Sequence, residues 1–316
     1  MAKRQKTTRY RTEHCTAPHA LSTPPGFPFY IALCGVTTRN GSQPPDNLLS
    51  RRVATGRGAT QAQADLLAVA EAAERFSIQY ASTLPARLRP FVTIGGPPEP
   101  AEIVELTLGA PGRTNGSAGA AAGESPGDAL RRAALEVLEH LHVDRLRAGS
   151  GELAPVDPAG EPAIAPHVAW LATQFRALEI RARAFAPGYV VAVAACSDLD
   201  GGRRTEGSAA RGGRAEAVRA AVEEAMFHWR NMVELERAAP DLAAMAEEDR
   251  LRIARYRGAL PREVWPPAAS ADPGEAAATD VEGLLAAVAV VSGRRVRAFD
   301  LTAPEIGVPV IRVHLG

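Results

Sequence analysis

The order of apolar and polar residues divides this chain into alternating strand-like and helix-like segments. Runs rich in apolar and β-branched residues predict strands, and apolar residues repeating every three or four positions predict helices. Strands are predicted over residues 29–36, 91–94, 102–108, 178–185, 189–197, 287–299 and 309–314. Helices are predicted over residues 60–81, 126–148, 168–174, 214–238 and 241–257, and loops over 40–47 and 266–278. Helices interleaved with strands of antiparallel tendency predict the α+β class.

Three of the predicted helices share one starting pattern, in which a glycine-rich stretch and a capping residue precede a glutamate at the same depth. The glutamates are Glu71, Glu136 and Glu224, and the residues eleven positions earlier are Thr60, Ser125 and Gly213. All three of the earlier residues are accepted helix N-caps. Three positions after each cap lie Gln63, Asp128 and Glu216, which fit or resemble a capping box. The sequence therefore defines these helix starts well.

The first two of these helices carry a second carboxylate three residues after the first, and a basic or titratable residue follows it. The two sets are Glu71, Glu74 and Arg75, and Glu136, Glu139 and His140. Residues at i, i+3 and i+4 share one helix face, and apolar neighbours direct at least some of these glutamates inward. Converging buried carboxylates require a cation, and paired oxygen ligands favour Mg²⁺ beside phosphate oxygens. The alternative is that they lie on solvated faces, as chance produces in a chain rich in Ala, Arg and Glu.

Four motifs in a fixed order resemble those of the YcaO family. They lie within residues 55–77, 114–140, 207–225 and 300–313. The resemblance extends from about residue 35 to the last residue. It implies a YcaO-like α+β fold, in which mixed or antiparallel sheets carry glycine-led helices that line a nucleotide site. We expect this domain over residues 29–316, after a basic, proline-containing arm over residues 1–28.

The resemblance also implies an activity. Members of the family bind ATP and Mg²⁺ between the two Glu-x-x-Glu helices and phosphorylate a peptide backbone amide oxygen. The product is an azoline, a thioamide or an amidine when the nucleophile is a Cys, Ser or Thr side chain, sulfide or an amine. In such phosphoryl transfer, positioning and charge neutralisation provide most of the catalysis. The chain ends without a proline-rich tail, which shifts the expectation from azolines toward thioamides or amidines.

Roles can be carried over from the family to matching residues of this chain. The expected metal ligands are Glu71, Glu74, Asp128, Glu136 and Glu139. The expected nucleotide-binding residues are Arg57, Glu71, Arg75, Asp128, Glu136 and Arg312, and the catalytic candidates are Arg75 and His140. His140 stands where arginine is usual, and Leu67 and Phe227 replace a frequent serine and a frequent glutamine. These departures bear on catalytic competence and leave the fold unaffected.

The same residues also have plain structural interpretations. Asp128 would cap its helix, Arg75 would pair with Glu71, His140 would pack in the interior, and Arg57 would solvate a loop. Two alternatives follow for the whole chain. One is a catalytically silent YcaO-like scaffold or peptide-binding subunit of a modification complex. The other is an unrelated α+β binding protein whose glutamates face water.

Composition restricts the class of protein and its partners. The net charge is zero and the isoelectric point is about 7.1, which gives no indication of nucleic-acid binding. No apolar run approaches the length of a membrane span, and the basic N-terminus lacks the apolar segment of a signal peptide. Cys15, Cys34 and Cys196 are scattered without metal-ligand spacing, which is typical of a reducing cytoplasm. We expect a cytoplasmic enzyme, a precursor peptide, a leader-binding or accessory protein, and a homodimer as the default oligomer.

Overall fold

A computed structural model describes most of the chain and divides it into two compact units. The described residues are 15–36, 53–81, 87–103, 106, 118–150, 152–237, 245, 247–258, 265–266 and 279–316. The first unit comprises Met1–Val137 with Asp280–Gly316, and the second comprises Leu138–Thr279. The predicted loop 40–47, most of the predicted loop 266–278, residues 114–117 and residues 239–241 lie outside the described residues. The division into an arm and a single domain stays a prediction.

The described residues form strands and helices that alternate along most of the chain. The strands are β1 (His19–Ala20), β2 (Tyr30–Gly35), β3 (Val53–Gly58), β4 (Arg87–Leu88), β5 (Val92–Ile94), β6 (Ala101–Glu102), β7 (Ala120–Ala122), β8 (Ala154–Val156), β9 (Arg176–Phe185), β10 (Tyr189–Asp198), β11 (Thr205–Arg211), β12 (Val296–Asp300) and β13 (Val310–Leu315). The helices are α1 (Gln61–Ala81), α2 (Pro126–Arg147), α3 (Ala165–Thr173), α4 (Arg214–Arg237), α5 (Glu247–Tyr256) and α6 (Val281–Ser292). None of the described helices is both long enough and apolar enough to cross a membrane.

The first unit contains three antiparallel sheets, with the strand orders β1-β2-β3, β5-β12-β13-β7 and β4-β6. Its buried core gathers side chains from β2, β3, α1, β7, β12 and β13. Small residues dominate where α1 meets the strands, since Ala64, Ala68 and Ala72 on one helix stripe are fully buried. These alanines allow the strands to approach the helix closely.

The second unit is built on one antiparallel sheet with the strand order β11-β10-β9-β8. Strand β10 is buried at every position from Tyr189 to Ser197, which explains why its sequence is a continuous apolar run instead of an alternating one. Helix α4 packs on β10 and β11 with its apolar stripe. Ala217, Ala221 and Ala225 of this stripe are fully buried.

Glycines in the strands that precede α1 and α4 let backbone and helix meet without a side chain between them. A Cβ atom on Gly56 would lie 1.9 Å from the Ala64 carbonyl oxygen and 2.3 Å from the Ala68 nitrogen. A Cβ atom on Gly207 would lie 2.4 Å from both the Ala221 oxygen and the Ala225 nitrogen. The glycines are therefore required by packing, and Arg57, which the sequence placed in a loop in its plain structural interpretation, lies in strand β3.

The predicted helix starts are confirmed by their capping contacts. In α1, Thr60 Oγ1 accepts from the Gln63 N–H at 3.2 Å, and Gln63 Oε1 accepts from the Ala59 N–H at 3.0 Å. In α2 the same two contacts recur, since Ser125 Oγ accepts from the Asp128 N–H and Asp128 Oδ2 accepts from the Glu124 N–H. Both helices begin and end within about one residue of the predicted bounds.

Two predicted strands were wrong in part. In the strand predicted over residues 102–108, only Glu102 is extended among the described residues, and Ile103 and Leu106 are helical. The strand predicted over residues 287–299 was wrong in its main part, because residues 281–292 form helix α6 and only Val296–Asp300 are extended. Asp280 caps the helix by accepting from the Gly283 N–H at 2.8 Å, and Gly293 ends it with a φ of 64°. The Ala- and Val-rich sequence between these caps fits a helix or a strand, and the caps decide for the helix. In addition, His19–Ala20 of the predicted arm pairs with β2.

We expect Gly56→Ala to lower the free energy of unfolding by about 1–3 kcal/mol or more, because its Cβ atom meets backbone atoms of α1 that cannot rotate away. Gly127→Ala is the matched control. A Cβ atom on Gly127 would meet only the Ser125 hydroxyl, at 3.9 Å. This variant should be neutral or more stable by up to about 1 kcal/mol. Thermal and urea unfolding of both variants measures the difference, and equal stabilities would contradict the packing argument.

Candidate functional site

The first unit holds a cluster of carboxylates on α1 and α2, which we call the first cluster: Glu71, Glu74 and Glu136, with Arg75 and Arg312 beside them. Glu71 is bonded at both of its oxygens. Its Oε2 accepts from the Thr55 N–H at 3.1 Å and lies 3.4 Å from the Thr55 hydroxyl. Its Oε1 accepts from Arg75 Nε at 3.1 Å and from Arg75 Nη2 at 2.5 Å. The i,i+4 ion pair considered from the sequence is therefore present.

Glu74 is the electrostatically strained member of the first cluster. Burial raises the pKa of its carboxyl group well above the ordinary value, and the neighbouring charges of Glu136 and Glu71 raise it further. The Arg75 guanidinium and a hydrogen bond from the Ala122 backbone N–H act in the opposite direction. Glu74 is partly exposed, and its neighbours Glu136 and Glu71 are consistent with the inward orientation predicted from the apolar residues around it. Its negative charge is only partly compensated by the protein itself.

Arg312 on β13 supplies buried positive charge to the same cluster. It is 3% exposed, and it lies opposite Ala120 in the pairing of β13 with β7. Burial lowers the pKa of its guanidinium, whereas Glu136 and Glu74 raise it. An arginine group that is always charged at neutral pH is therefore held among carboxylates. The expectation that Arg312 belongs to the site is consistent with this position, while its binding role stays a prediction.

The second unit holds a corresponding group, the second cluster, formed by Glu139 of α2, Glu224 of α4 and Ser208 of β11. Glu139 Oε1 accepts from the Ser208 hydroxyl at 2.7 Å, and Glu139 Oε2 accepts from the Ala210 N–H at 3.1 Å. Glu224 Oε2 accepts from the Ser208 N–H at 3.0 Å. Burial and the charge of Glu224 raise the pKa of Glu139, and Ser208, His140 and Arg211 lower it.

The two clusters repeat one structural arrangement. The N–H that Glu71 accepts comes from Thr55, and the N–H that Glu224 accepts comes from Ser208; each donor lies 16 residues before its glutamate. Both donors lie in the strand that leads into the helix carrying the glutamate. The glutamates therefore bind backbone N–H groups at a sheet edge, which fixes the direction of their carboxylates.

The other predicted residues have more local surroundings. Asp128 Oδ2 accepts from the Glu124 N–H and from Arg132 Nε at 2.9 Å, so Asp128 has a capping role. Arg57 is partly exposed on β3, opposite Ile31 of β2. His140 is partly buried and acts on Glu139 through its charge. Roles of these three residues in metal binding, nucleotide binding or catalysis stay predictions.

The structure adds Glu224 and Ser208 to the residues that the sequence named as site candidates. The sequence contains a signal for Glu224, which is the third glutamate of the repeated helix pattern. The sequence does not single it out as a site residue, because the third helix has Phe227 where the first two helices have a second glutamate. Among the described residues, no three His, Cys, Asp or Glu side chains are arranged as ligands of one metal ion.

Comparison with known families and structures agrees with this architecture. The family model described as YcaO cyclodehydratase, ATP- and Mg²⁺-binding, matches residues 98–315, which is more than half of the chain. ATP and Mg²⁺ are also the two cofactors that the sequence predicted. No curated protein matches the sequence significantly.

Several solved structures share the fold at low sequence identity. A heterocyclase in complex with substrate and cofactor aligns with 99% of this chain at a TM-score of 0.69 and 16% identity. The chain spans 52% of the length of that heterocyclase. YcaO from Methanopyrus kandleri, bound with AMPPCP and Mg²⁺, aligns with 99% of this chain and 89% of its own, at a TM-score of 0.60 and 18% identity.

A third structure, the E. coli microcin synthetase McbBCD complex with pro-MccB17 bound, aligns with 94% of this chain and 87% of its own, at a TM-score of 0.61 and 10% identity. These likenesses confirm the predicted α+β fold with antiparallel sheets. They also extend over the first motif, residues 55–77, which precedes the range matched by the family model. From the family match and the fold together, this chain belongs to the YcaO family.

Proposed function

We propose that this protein uses Mg²⁺ and ATP to activate backbone amides of a ribosomally made peptide. The observation that carries the proposal is the pair of carboxylate clusters. In each of them, burial and a neighbouring carboxylate raise the pKa of one glutamate, Glu74 in the first cluster and Glu139 in the second. The repulsion between neighbouring buried carboxylates destabilises the folded chain on its own. A bound cation compensates their charge, so the same arrangement favours cation binding. The match to an ATP- and Mg²⁺-binding family supports the same conclusion.

The oxygen atoms of the clusters suit a hard divalent cation. Glu74 accepts the Ala122 N–H, Glu224 accepts one donor, and Glu139 accepts one donor at each oxygen. A carboxylate has about four acceptor positions, so each of these three carboxylates has acceptor positions left with which it could bind a metal ion. We therefore assign Glu74 and Glu136 to one Mg²⁺ ion, and Glu139 and Glu224 to another.

Glu71 and Arg75 have a different proposed role, which is phosphate binding through Arg75 instead of metal binding. Glu71 already accepts from four donor atoms of Thr55 and Arg75, so it is filled while that ion pair lasts. In this state Glu71 orients Arg75, whose guanidinium is suited to phosphate oxygens. Arg57 and Arg312 are the other phosphate-binding candidates. Asp128 serves as a helix cap in the structure, and metal binding by it is a weaker proposal than for Glu74.

Bound ATP would supply the phosphoryl group that converts an amide oxygen into a leaving group. The residues of this chain would hold the nucleotide, neutralise its charge and fix its direction, which is what phosphoryl transfer requires of a protein. His140 is the candidate for proton transfer near Glu139. Which of the three products forms, an azoline, a thioamide or an amidine, depends on the nucleophile. A precursor peptide and an accessory protein that delivers it are the proposed partners.

The competing proposal is a catalytically silent scaffold of a peptide-modification complex. It is favoured by one observation, namely that Arg75 is bound at two nitrogen atoms by Glu71. If that pair is permanent, neither residue is available to a nucleotide. The replacement of the usual arginine by His140 points in the same direction. Nucleotide binding separates the two proposals.

We expect the folded protein to bind AMPPCP in the presence of Mg²⁺ and to lose this binding when the metal is chelated. Glu74→Gln and Glu139→Gln should each weaken the affinity at least about tenfold, which corresponds to about 1.4 kcal/mol. The reason is that each substitution removes an anionic metal ligand while keeping its size. Isothermal titration calorimetry measures the affinities.

The control for this experiment is Glu234→Gln, which changes a glutamate with a 45% exposed side chain near the end of α4. This variant should bind AMPPCP as tightly as the unchanged protein. If the unchanged protein is folded and still shows no Mg²⁺-dependent binding, the silent scaffold is the better description. If both cluster variants bind normally, the assignment of their carboxylates is wrong.

We also expect the carboxylates to make stability depend on pH when metal and nucleotide are absent. A glutamate in the unfolded chain has a pKa of about 4.3, and the folded values of Glu74 and Glu139 are raised above it. Their stabilising contribution is therefore complete below about pH 4.3 and is lost as the pH rises through the folded values. Glu74→Gln should therefore be more stable than the unchanged protein at pH 8, and the difference between the two in free energy of unfolding should become smaller toward pH 4.

Thermal unfolding in a chelating buffer at several pH values measures this effect, with Glu234→Gln again as the control. Addition of Mg²⁺ should reduce the difference between the unchanged protein and Glu74→Gln at pH 8, because the cation compensates the same charge. A loss of stability in Glu74→Gln at both pH values would show that the carboxylate stabilises the fold without a cation.

A further inference from the structure

Two thiols, Cys15 and Cys34, lie together in the first unit and are unexplained by the proposed function. They are 19 positions apart in the sequence, yet the chain folds back so that Cys15 pairs with Val36 in an antiparallel bridge. Cys34 lies on β2 and is fully buried, whereas Cys15 is partly exposed. Both pack into the same apolar core cluster.

Local hydrogen bonds hold the two chain segments against each other. The Thr16 N–H donates to the Gly35 carbonyl at 2.9 Å, and Thr16 Oγ1 accepts from the Gly35 N–H at 2.8 Å. The Cys34 thiol donates to the Thr16 carbonyl at 3.1 Å. Because side chains alternate along a strand, residues 34 and 36 share a face, and Cys15 opposite Val36 lies diagonally next to Cys34.

The two thiols are close enough to affect each other's protonation. A hydrogen bond between Cys34 and Cys15, together with burial, raises the pKa of the Cys34 thiol. Cys34 is thus kept protonated and shielded, while Cys15 offers the accessible sulfur. This division of properties corresponds to an attacking thiol and a resolving thiol.

We propose that Cys15 and Cys34 form a reversible disulfide when the chain meets a small-molecule disulfide such as oxidised glutathione. In the first step the Cys15 thiolate attacks one glutathione sulfur, breaks the S–S bond and releases one glutathione thiolate. In the second step Cys34, after loss of its proton, attacks the Cys15 sulfur and releases the second glutathione. The two protein thiols lose two electrons and two protons in total, and the glutathione disulfide becomes two glutathione thiols.

The bond would join the segment before β1 to β2. Cys34 is paired with Ala54 of β3, next to Thr55, whose N–H is bound by Glu71. Oxidation would therefore add a covalent link to the sheet whose strand β3 binds Glu71 of the first cluster, without using any residue of that cluster. The inference is independent of the proposed function, since it requires neither ATP nor a peptide.

The test is a thiol count on the full chain after equilibration with mixtures of oxidised and reduced glutathione. The protein contains three cysteines, so three thiols in the reduced, unfolded protein should fall to one after oxidation. Cleavage after Arg11 and Arg39 places both cysteines in one tryptic peptide, residues 12–39. This peptide should become lighter by two hydrogens and resist alkylation, and reduction should reverse both changes.

Three single-cysteine variants make the outcome specific. Cys196→Ser should lose both of its remaining thiols on oxidation, because the third cysteine takes no part. Cys15→Ser should keep both remaining thiols, and Cys34→Ser should accumulate a glutathione adduct on Cys15. The proposal is overturned if three thiols persist in excess oxidised glutathione. It is equally overturned if the unchanged protein stops at a stable glutathione adduct of Cys15 with Cys34 still reduced.

The rate of closure provides a second measurement. Because the Cys34 thiol must lose its proton to resolve the mixed disulfide and its pKa is raised, closure should accelerate as the pH increases through the alkaline range. Rapid quenching with acid and mass analysis of peptide 12–39 follows the conversion of adduct to disulfide. A conversion rate independent of pH would contradict the assigned role of Cys34.

Discussion

The close packing of glycine-containing strands on alanine-lined helices underlies the rest of this structure. At Gly56 and Gly207 the strand backbone approaches the helix so closely that a single methyl group would overlap backbone atoms. This approach brings the strand N–H groups of Thr55 and Ser208 within reach of glutamates on the helix that follows. In each of these two sheets a carboxylate accepts a hydrogen bond from an N–H group of the edge strand, and this bond fixes the direction of the carboxylate.

That arrangement has an electrostatic consequence. Within each cluster, burial and the charge of a neighbouring carboxylate raise the pKa of one glutamate, Glu74 in the first cluster and Glu139 in the second. Nearby cations such as Arg75 and Arg211 offset only part of this shift. A fold that concentrates negative charge in this way is suited to a ligand that brings positive charge with it, and the family description names Mg²⁺.

Some features of the fold could be predicted from the sequence because they depend on interactions between residues that are close along the chain. The caps Thr60 and Ser125 predicted the starts of α1 and α2, since a capping side chain interacts with the next few residues only. The apolar run from Tyr189 predicted a buried strand for a similar reason. The strand predicted over residues 287–299 was wrong because its Ala- and Val-rich sequence fits either a strand or a helix, and the caps Asp280 and Gly293 stabilise the helix. Strands β3 and β11 were missed because glycine is unfavourable in isolated strands and is retained there for packing on a helix.

The sequence by itself determined the helix starts, the repeated spacing of glutamates and the family, because these depend on order along the chain. Only the tertiary structure decided which carboxylates meet, since that depends on strand pairing and on the approach of each helix. It separated Asp128, which caps a helix, from Glu74, whose pKa is raised by its neighbours. It also brought Cys15 against Cys34, because pairing between strands connects residues that no local spacing relates.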